Sequence, residues 1–163
     1  LPARMPSYYL RQMYLNNRLV KPDSLNLLGE SINLSEIDVP SFFLSARQDH
    51  IAKWKTTYKG ALAHGGDVRF VLSGSGHIAG VINPPYKEKY GYWTNDTLVP
   101  DADTWFEKSE HHPGSWWPYW LEWIARFSDG DVPARIPGEG KLPAIEDAPG
   151  SYVKVKAAEA VKQ

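Results

Sequence analysis

The chain has 163 residues, 42% of them apolar and 13% aromatic, which is material for one domain at most. Its formal net charge is -1, and no run of like charge indicates a nucleic acid or an anionic membrane as partner. No signal-peptide pattern and no apolar stretch of about 18 residues occurs, so the sequence predicts no membrane-spanning helix. Because there is no cysteine, the chain can form no disulfide or thiolate metal site and cannot supply a cysteine nucleophile.

The chain begins at Leu1 rather than at a methionine, and 7 tryptophans and 13 prolines are many for its length. We therefore expect residues 1–163 to be one part of a larger catalytic domain, with surfaces that meet the other parts. After Gly130 the sequence is rich in proline and glycine, and residues 132–163 are expected to form an extended C-terminal strap that ends in a polar tail.

Two elements are predicted in the first third of the chain. Ser7 to Leu19 is expected to form a helix with a mixed apolar face, and Ser7 is a plausible N-cap. Leu25–Leu28 and Ile32–Leu34 surround Gly29 and favour a short hairpin or a pair of extended arms.

The middle of the chain predicts a βαβ unit. Ser41 to Ala46 is a continuous apolar run, which suits an interior parallel strand. A helix is expected over residues 52–64 and is ended by Gly65-Gly66, and a second strand is expected over Val68 to Leu72. Strand, helix and strand in this order predict two parallel strands.

The sequence after this unit is less regular. Asn83 to Pro100 predicts irregular structure with exposed aromatic side chains. A short helix is expected over residues 103–110. A longer helix is expected over Ser115 to Phe127, with Ser115 as N-cap and Pro118 in the first turn, where proline is tolerated.

One acid and one histidine follow the two strands of the predicted unit. Asp49 lies in the polar break after the first strand, and His77 ends the glycine-rich loop after the second. Functional residues gather at the C-terminal ends of strands in open α/β sheets. The α/β-hydrolase fold orders its triad as nucleophile, acid and histidine, and this chain shows acid then histidine. We therefore predict an α/β class, namely the C-terminal portion of an α/β-hydrolase fold with parallel strands flanked by helices.

The chemistry of such a site explains the pairing. A carboxylate on one imidazole nitrogen fixes the tautomer and leaves the other nitrogen basic toward the proton of a nucleophile. No serine lies in a G-x-S-x-G elbow, so the nucleophile must come from elsewhere. The pattern alone leaves a second interpretation open, because polar residues also end buried strands for solvation.

The other histidines are interpreted as structural. His50 is expected to pack at the start of a helix, and His64 suits the negative end of that helix. His111 and His112 could indicate a metal, but no third ligand stands at a useful spacing.

Two further patterns favour structure over a binding site. The tryptophans at 116, 117, 120 and 123 are more typical of a core or an interface than of a ligand-stacking platform. The loop with Gly74 and Gly76 lacks the lysine that a phosphate-binding loop requires.

Five segments are distinctive as motifs. They are Ser45–Ile51 with Trp54, Arg69–Pro85, Tyr92–Asp96, Gly114–Pro118 and Ala148–Lys154. Together they resemble the polyhydroxyalkanoate synthases, in particular the single-subunit class that acts on short-chain substrates. The resemblance runs from about Leu1 to Lys156, and the stretch Gly76–Pro85 is specific for this family.

The resemblance implies a Cys-His-Asp triad on an α/β-hydrolase core, with Asp49 as the acid and His77 as the base. Such enzymes are acyltransferases that polymerise (R)-3-hydroxyacyl-CoA into a polyester and release CoA. The cysteine of the family lies upstream in a lipase-box-like elbow, outside this chain, so the chain alone is not expected to be active. Whether Asp49 acts directly in elongation or only orients His77 stays open.

The resemblance also implies the surroundings of the enzyme. The expected partners are the remainder of the same catalytic domain, the acyl-CoA substrate, the growing polyester chain and a second copy in a homodimer. We expect a cytoplasmic protein at the surface of the polyester granule, with no cofactor and no metal. The aromatic stretch Tyr86 to Trp93 is compatible with either a dimer face or a polymer exit.

Two other functions are kept as alternatives. A thioesterase, lipase or polymer depolymerase on the same fold would use the same acid and histidine, and an upstream serine would favour it. A non-catalytic granule-binding or dimerising module would tolerate the loss of His77.

Overall fold

The N-terminal helix of the computed structural model, which describes residues 2–157, begins earlier than the sequence indicated. Helix α1 (Arg4–Tyr8) continues directly into a π-helical segment, Tyr9–Leu15. The predicted bounds and the N-cap role of Ser7 are therefore wrong. Pro6 fits this early start because it lies in the first turn of the helix. Backbone N–H groups in the first turn have no acceptor within the helix, so a proline costs no hydrogen bond there.

A short hairpin follows, as predicted. Strands β1 (Leu25–Leu27) and β2 (Glu30–Ile32) are antiparallel, with Leu27 opposite Glu30. The two turn residues, Leu28 and Gly29, have φ of 56° and 96°. Positive φ at both positions is typical of the type I′ turn that matches the twist of a hairpin. The second arm therefore begins at Glu30, two residues before the predicted start.

The predicted βαβ unit is confirmed. It consists of β3 (Ser41–Ala46), α2 (Trp54–Leu62) and β4 (Val68–Ser73). The two strands are parallel, from Ser41 opposite Val68 to Ala46 opposite Ser73. A 3₁₀ turn, Leu34–Glu36, precedes the unit.

The sheet has two more strands, which the sequence did not indicate. Strand β5 (Tyr92–Thr94) pairs antiparallel with β4, and β6 (Glu110–His112) pairs antiparallel with β5. The four-stranded sheet has the order β3-β4-β5-β6 and is mixed rather than wholly parallel. The prediction of irregular structure from Asn83 to Pro100 is therefore wrong at β5. Only three residues form each strand, too few for an alternating pattern to show in the sequence.

Two helices flank the later strands. Helix α3 (Ala102–Glu107) starts one residue before the predicted helix, because the Asp101 carboxylate caps it by accepting the Thr104 N–H at 2.7 Å. Helix α4 (Trp117–Ala125) is shorter than predicted at both ends. The N-cap is Trp116 rather than the predicted Ser115, although the Ser115 hydroxyl accepts the Trp117 N–H at 3.1 Å just before the helix.

The core of this part of the chain is aromatic. Tyr58 of α2, Phe70 of β4 and Trp105 of α3 are fully buried. The ring of Phe70 meets Tyr58 and Trp105 edge-on, at centroid distances of 5.0 and 5.1 Å. This geometry suits the quadrupoles of aromatic rings and joins the helices to the sheet.

Gly65 and Gly66 do not end α2 as predicted, because the helix already ends at Leu62 with Ala63 as its C-cap. A Cβ on Gly65 would lie 1.9 Å from the Ser35 carbonyl oxygen, and one on Gly66 would lie 2.5 Å from that of Asp38. Neither glycine has a positive φ, so neither is a left-handed helix cap. The chain needs glycine here because the segment before β3 crosses in contact with it.

The chain divides at Arg126 into two units, Leu1–Arg126 and Phe127–Gln163. In the second unit, residues 128–150 form no helix or strand, and a 3₁₀ turn spans Tyr152–Lys154. The last part of the predicted strap and tail, 158–163, lies outside the described residues. Among residues 2–157, none of the helices has the length and apolarity needed to cross a bilayer.

Candidate active site

Two loops meet at the C-terminal ends of β3 and β4. Backbone bonding continues past the strands, since the Arg47 N–H donates to the Ser73 carbonyl at 2.8 Å and the Gln48 N–H to the Ser75 carbonyl at 2.9 Å. This pairing fixes the first loop against the second. It brings Asp49, at the end of one loop, next to His77 in the other.

The structure joins the two predicted residues by a hydrogen bond. His77 Nδ1 lies 2.7 Å from Asp49 Oδ2. An ionised carboxylate can only accept, so Nδ1 carries the proton and Nε2 is the basic nitrogen. No hydrogen bond to Nε2 occurs within residues 2–157, and the His77 side chain is 47% exposed. The pair can therefore accept a proton from a group outside the described residues.

The Asp49 carboxylate is held on both sides. Its Oδ1 accepts the N–H groups of Ile51 and Ala52 at 2.8 and 2.9 Å, and its side chain is only 7% exposed. The hydrogen bond from His77 lowers the pKa of the Asp49 carboxyl below its ordinary value. The hydrogen bonds from the backbone N–H groups of Ala52 and Ile51 lower it further. Asp49 is thus ionised at neutral pH and fixed in orientation.

The loop that carries His77 is tightly folded. Ser75 has a φ of 68°, an uncommon conformation for a residue with a side chain. The Gly80 N–H donates to the Gly76 carbonyl at 2.9 Å. A Cβ on Gly80 would lie 2.6 Å from the Gly74 carbonyl oxygen and 2.7 Å from the Ala46 side chain, so only glycine fits.

Two tryptophans bind this loop from helix α4 and the residue before it. Trp116 Nε1 donates to the Gly80 carbonyl at 3.2 Å, and Trp117 Nε1 donates to the Val81 carbonyl at 3.0 Å. The sequence interpretation as core or interface did not foresee these bonds. A pair of adjacent tryptophans was the available signal, but nothing in the sequence names a carbonyl 36 residues away as a partner.

The remaining histidines of residues 2–157 make no hydrogen bond to Asp49 or His77. His50 is exposed and is not packed as expected, because Asp49 rather than His50 holds the turn before α2. His64 Nδ1 contacts the Gly60 carbonyl at 3.1 Å and its ring meets Phe43 edge-on at 4.9 Å, as expected of a structural residue. His112 Nε2 lies 2.8 Å from Thr94 Oγ1. Among residues 2–157, no group of three or more His, Cys, Asp or Glu could hold a metal ion.

The aromatic stretch after the His77 loop is only partly exposed. Tyr86 and Tyr90 are 81% and 52% exposed. Tyr92 is buried, and Trp93 packs against Phe106 at 5.5 Å, so for these two the expectation of exposure is wrong. In β5, Tyr92 is buried and Trp93 is half-buried.

Two open grooves lie near the ends of these elements. One, of about 380 Å³, borders the acid; its lining includes Arg47, Asp49, His50, Lys53, Trp54 and Lys55. The other, of about 500 Å³, is apolar; its lining is Pro85, Trp116, Trp117, Pro118, Trp120 and Leu121. The tryptophans that bind the His77 loop thus also form a wall of the apolar groove.

No protein-family model matches the chain. It is 48% identical over 157 residues to a poly(3-hydroxyalkanoate) polymerase subunit of Rhizobium meliloti (strain 1021), a match that covers 96% of this chain and 25% of that protein. It is 46% identical over 158 residues to a poly(3-hydroxyalkanoate) polymerase of Methylorubrum extorquens, and 43% identical over 159 residues to one of Cupriavidus necator. These two matches cover 96% of this chain and 26% and 27% of the relatives. The chain therefore spans about a quarter of the length of the relatives it matches.

Proposed function

We propose that this chain supplies the acid and the base of a poly(3-hydroxyalkanoate) polymerase. The proposal rests on its similarity to such enzymes over about a quarter of their length. The enzyme would be an acyltransferase with an α/β-hydrolase core, and the chain would be the part that follows the nucleophile. Asp49 and His77 would form a triad with a cysteine of the remaining polypeptide, since this chain has none. The observation that carries the proposal is the 2.7 Å bond between Asp49 and His77 at the ends of parallel strands.

The loading step follows from the tautomer. His77 Nε2 takes the proton of the cysteine thiol, and the thiolate attacks the carbonyl carbon of an (R)-3-hydroxyacyl-CoA thioester. The bond from that carbon to the CoA sulfur breaks, and CoA leaves with the proton from His77. The products are an acyl-enzyme thioester and free CoA.

Chain growth uses the same kind of proton transfer. The 3-hydroxyl of an acyl unit gives its proton to His77 Nε2 and attacks the carbonyl carbon of an enzyme-bound thioester, whose bond to the cysteine sulfur breaks. An ester bond forms and the enzyme thiolate is released, so no cofactor is needed. We extend the proposal to a cytoplasmic homodimer at the surface of the polymer granule, with which the exposed Tyr86 and Tyr90 are compatible.

The test is the release of thiol from (R)-3-hydroxybutyryl-CoA. The chain alone is compared with the chain joined to its natural upstream sequence and with the joined form carrying His77→Gln. His64→Gln is the matched control because it makes the same substitution at a histidine that packs against Phe43, away from the pair. We expect release only from the joined forms that retain His77.

The possible results separate the candidate functions. Release of CoA with polymer formation supports the polymerase. Release of CoA with free hydroxy acid and no polymer would indicate a thioesterase on the same fold. Full activity of the His77→Gln form would contradict the proposed base and favour a non-catalytic module.

A further inference from the structure

The His77 loop is held on two sides by different kinds of contact. On one side lie the ends of β3 and β4, where Gly80 touches Ala46 and the Gly74 carbonyl so closely that no Cβ would fit. On the other side lie Trp116 and Trp117, whose indole N–H groups bind the carbonyls of Gly80 and Val81. The loop is therefore clamped between the sheet and the start of α4.

The two carbonyls need these partners. Within the loop, the backbone N–H groups of Gly80, Val81 and Ile82 bond back to Gly76 and Ile78, which uses carbonyls earlier in the turn. The carbonyls of Gly80 and Val81 come at the end of the turn, where a helical segment leaves its acceptors without an internal donor. The indoles satisfy both, and Gly80 is buried, so water is a poor substitute.

The clamp is anchored in the sheet. The ring of Trp116 packs against Phe42 of β3 at a centroid distance of 6.2 Å, and Trp123 of α4 packs against Phe42 at 5.2 Å. The strand that leads into the Asp49 loop therefore also contacts the tryptophan that holds the loop of His77. The positions of both Asp49 and His77 therefore depend on contacts with the same strand, β3.

We propose that Trp116 and Trp117 are positioning residues, which keep His77 within hydrogen-bond distance of Asp49 through their indole N–H groups. The inference rests on the proposed function for its effect on turnover. Its geometric content, that loss of the indole bonds loosens the Asp49–His77 bond, does not depend on the reaction. A misplacement of about 1 Å by a change away from the chemistry can lower a rate by about 100-fold.

The variants are Trp116→Phe, Trp117→Phe and the double change, made in the polypeptide as the organism produces it. Phenylalanine keeps an aromatic ring and removes the N–H. Trp120→Phe is the matched control, since Trp120 lies on α4 and lines the same apolar groove but makes no hydrogen bond to segment 76–82 within the described residues. We expect the double variant to lose about 10- to 100-fold in kcat for CoA release, with KM changed less than about twofold.

A second readout reports the bond itself. The carboxyl carbon of Asp49 is titrated by NMR in the wild type and the variants. The hydrogen bond from His77 is the largest cause of the lowered Asp49 pKa, so the double variant is expected to show a higher Asp49 pKa, and Trp120→Phe is expected to match the wild type. A role in packing alone would change the melting temperature and leave this titration unmoved.

A third measurement needs no variant. Hydrogen exchange of the indole N–H groups in the wild type should be slower for Trp116 and Trp117 than for Trp120. Equal exchange rates, an unchanged Asp49 titration, or a kcat within twofold of the Trp120→Phe control would each overturn the inference. If the wild type releases no CoA at all, the proposed function fails, and the exchange and titration still decide the role of the tryptophans.

Discussion

Both oxygens of the Asp49 carboxylate already accept hydrogen bonds within the protein. One oxygen is bonded to His77, and the other accepts two backbone N–H groups of the turn that leads into α2. A group in this state orients an imidazole and stabilises its charged form. We therefore expect Asp49→Asn to slow acyl-enzyme formation and polymer elongation by the same factor, of about 10⁴ as for a triad held in the wrong tautomer.

Single-turnover loading and steady-state polymer formation measure the two steps separately. Asp103→Asn is the matched control, because Asp103 forms an exposed ion pair with Lys55 and its change should leave both rates near the wild-type values. Elongation that is lost while loading persists would show that Asp49 acts directly on the hydroxyl of the growing chain.

The same hydrogen bonds make the free energy of unfolding depend on pH in the acid range. The pKa of Asp49 in the folded chain lies below its ordinary value of 3.8 because of the His77 bond, so the carboxylate contributes stability that is fully present above that value. The contribution is lost as the pH falls from the ordinary pKa through the lowered one. Urea unfolding from pH 7 to about pH 2 should show a smaller acid loss for Asp49→Asn than for the wild type.

Part of the loss of stability at low pH should persist in the Asp49→Asn variant. The pKa of Asp101 is also lowered, chiefly by the Thr104 N–H at the start of α3, and Asp101→Asn should remove a separate part of the dependence. An acid profile of Asp49→Asn that overlays the wild-type profile would contradict the role of the His77 bond in stability.

The sequence predicted only part of the set of residues that meet at the site. Asp49 and His77 could be predicted because parallel strands bring their C-terminal ends to one edge, and each residue follows a strand. The bonds from Trp116 and Trp117 to loop carbonyls could not, because a backbone acceptor has no residue type to recognise. The catalytic roles of all four stay predictions.

Among the elements, β3, α2 and β4 were predictable and β5 and β6 were not. The first three bury continuous apolar runs or a helical stripe, which leave a periodic pattern. Strands β5 and β6 consist of three residues each, and their pairing depends on β4 having an open edge. Gly65 and Gly66 show the same limit, since the segment that crosses them comes from residues 35–38.

The hairpin β1–β2 contains a residue that its turn disfavours. Leu28 has a φ of 56° and is fully exposed, so it gains nothing from burial within the described residues. A left-handed conformation costs a side-chain residue roughly 1–2 kcal/mol, and asparagine tolerates it best. We expect Leu28→Asn to raise the free energy of unfolding by roughly 0.5–1 kcal/mol in urea titrations.

Leu28→Ala separates the turn effect from the loss of an exposed apolar side chain. Alanine removes the exposed apolar side chain but keeps the left-handed penalty, so it should leave stability nearly unchanged. Equal stabilisation by both substitutions would mean that solvation of the leucine, rather than the turn, sets the cost.

At the scale of the whole sheet and its helices, one buried hydroxyl connects parts far apart in the chain. Tyr58 of α2 donates to the Val99 carbonyl at 2.7 Å and accepts the Val99 N–H at 3.1 Å. The ring of Tyr58 also packs on Phe70 and Trp105, so this one residue links α2, β4, α3 and the segment between β5 and α3. Burial raises the pKa of its hydroxyl, which therefore stays neutral and can both donate and accept.

Tyr58→Phe should keep the ring packing and leave both backbone groups of Val99 without their partner. A fully buried backbone group that loses its partner costs about 1–3 kcal/mol. Val99 is only half-buried and has two such groups, so we expect values near the lower end of that range for each and a total destabilisation of about 2–3 kcal/mol. Chemical denaturation measures it, with Tyr86→Phe as the control because Tyr86 is 81% exposed and its hydroxyl meets solvent. Because domains of this size have only about 5–15 kcal/mol of stability, such a loss should also increase local opening of the segment before α3, which hydrogen exchange of the Val99 amide would detect. Unchanged protection of that amide would show that water replaces the tyrosine hydroxyl, and that the core is held by ring packing alone.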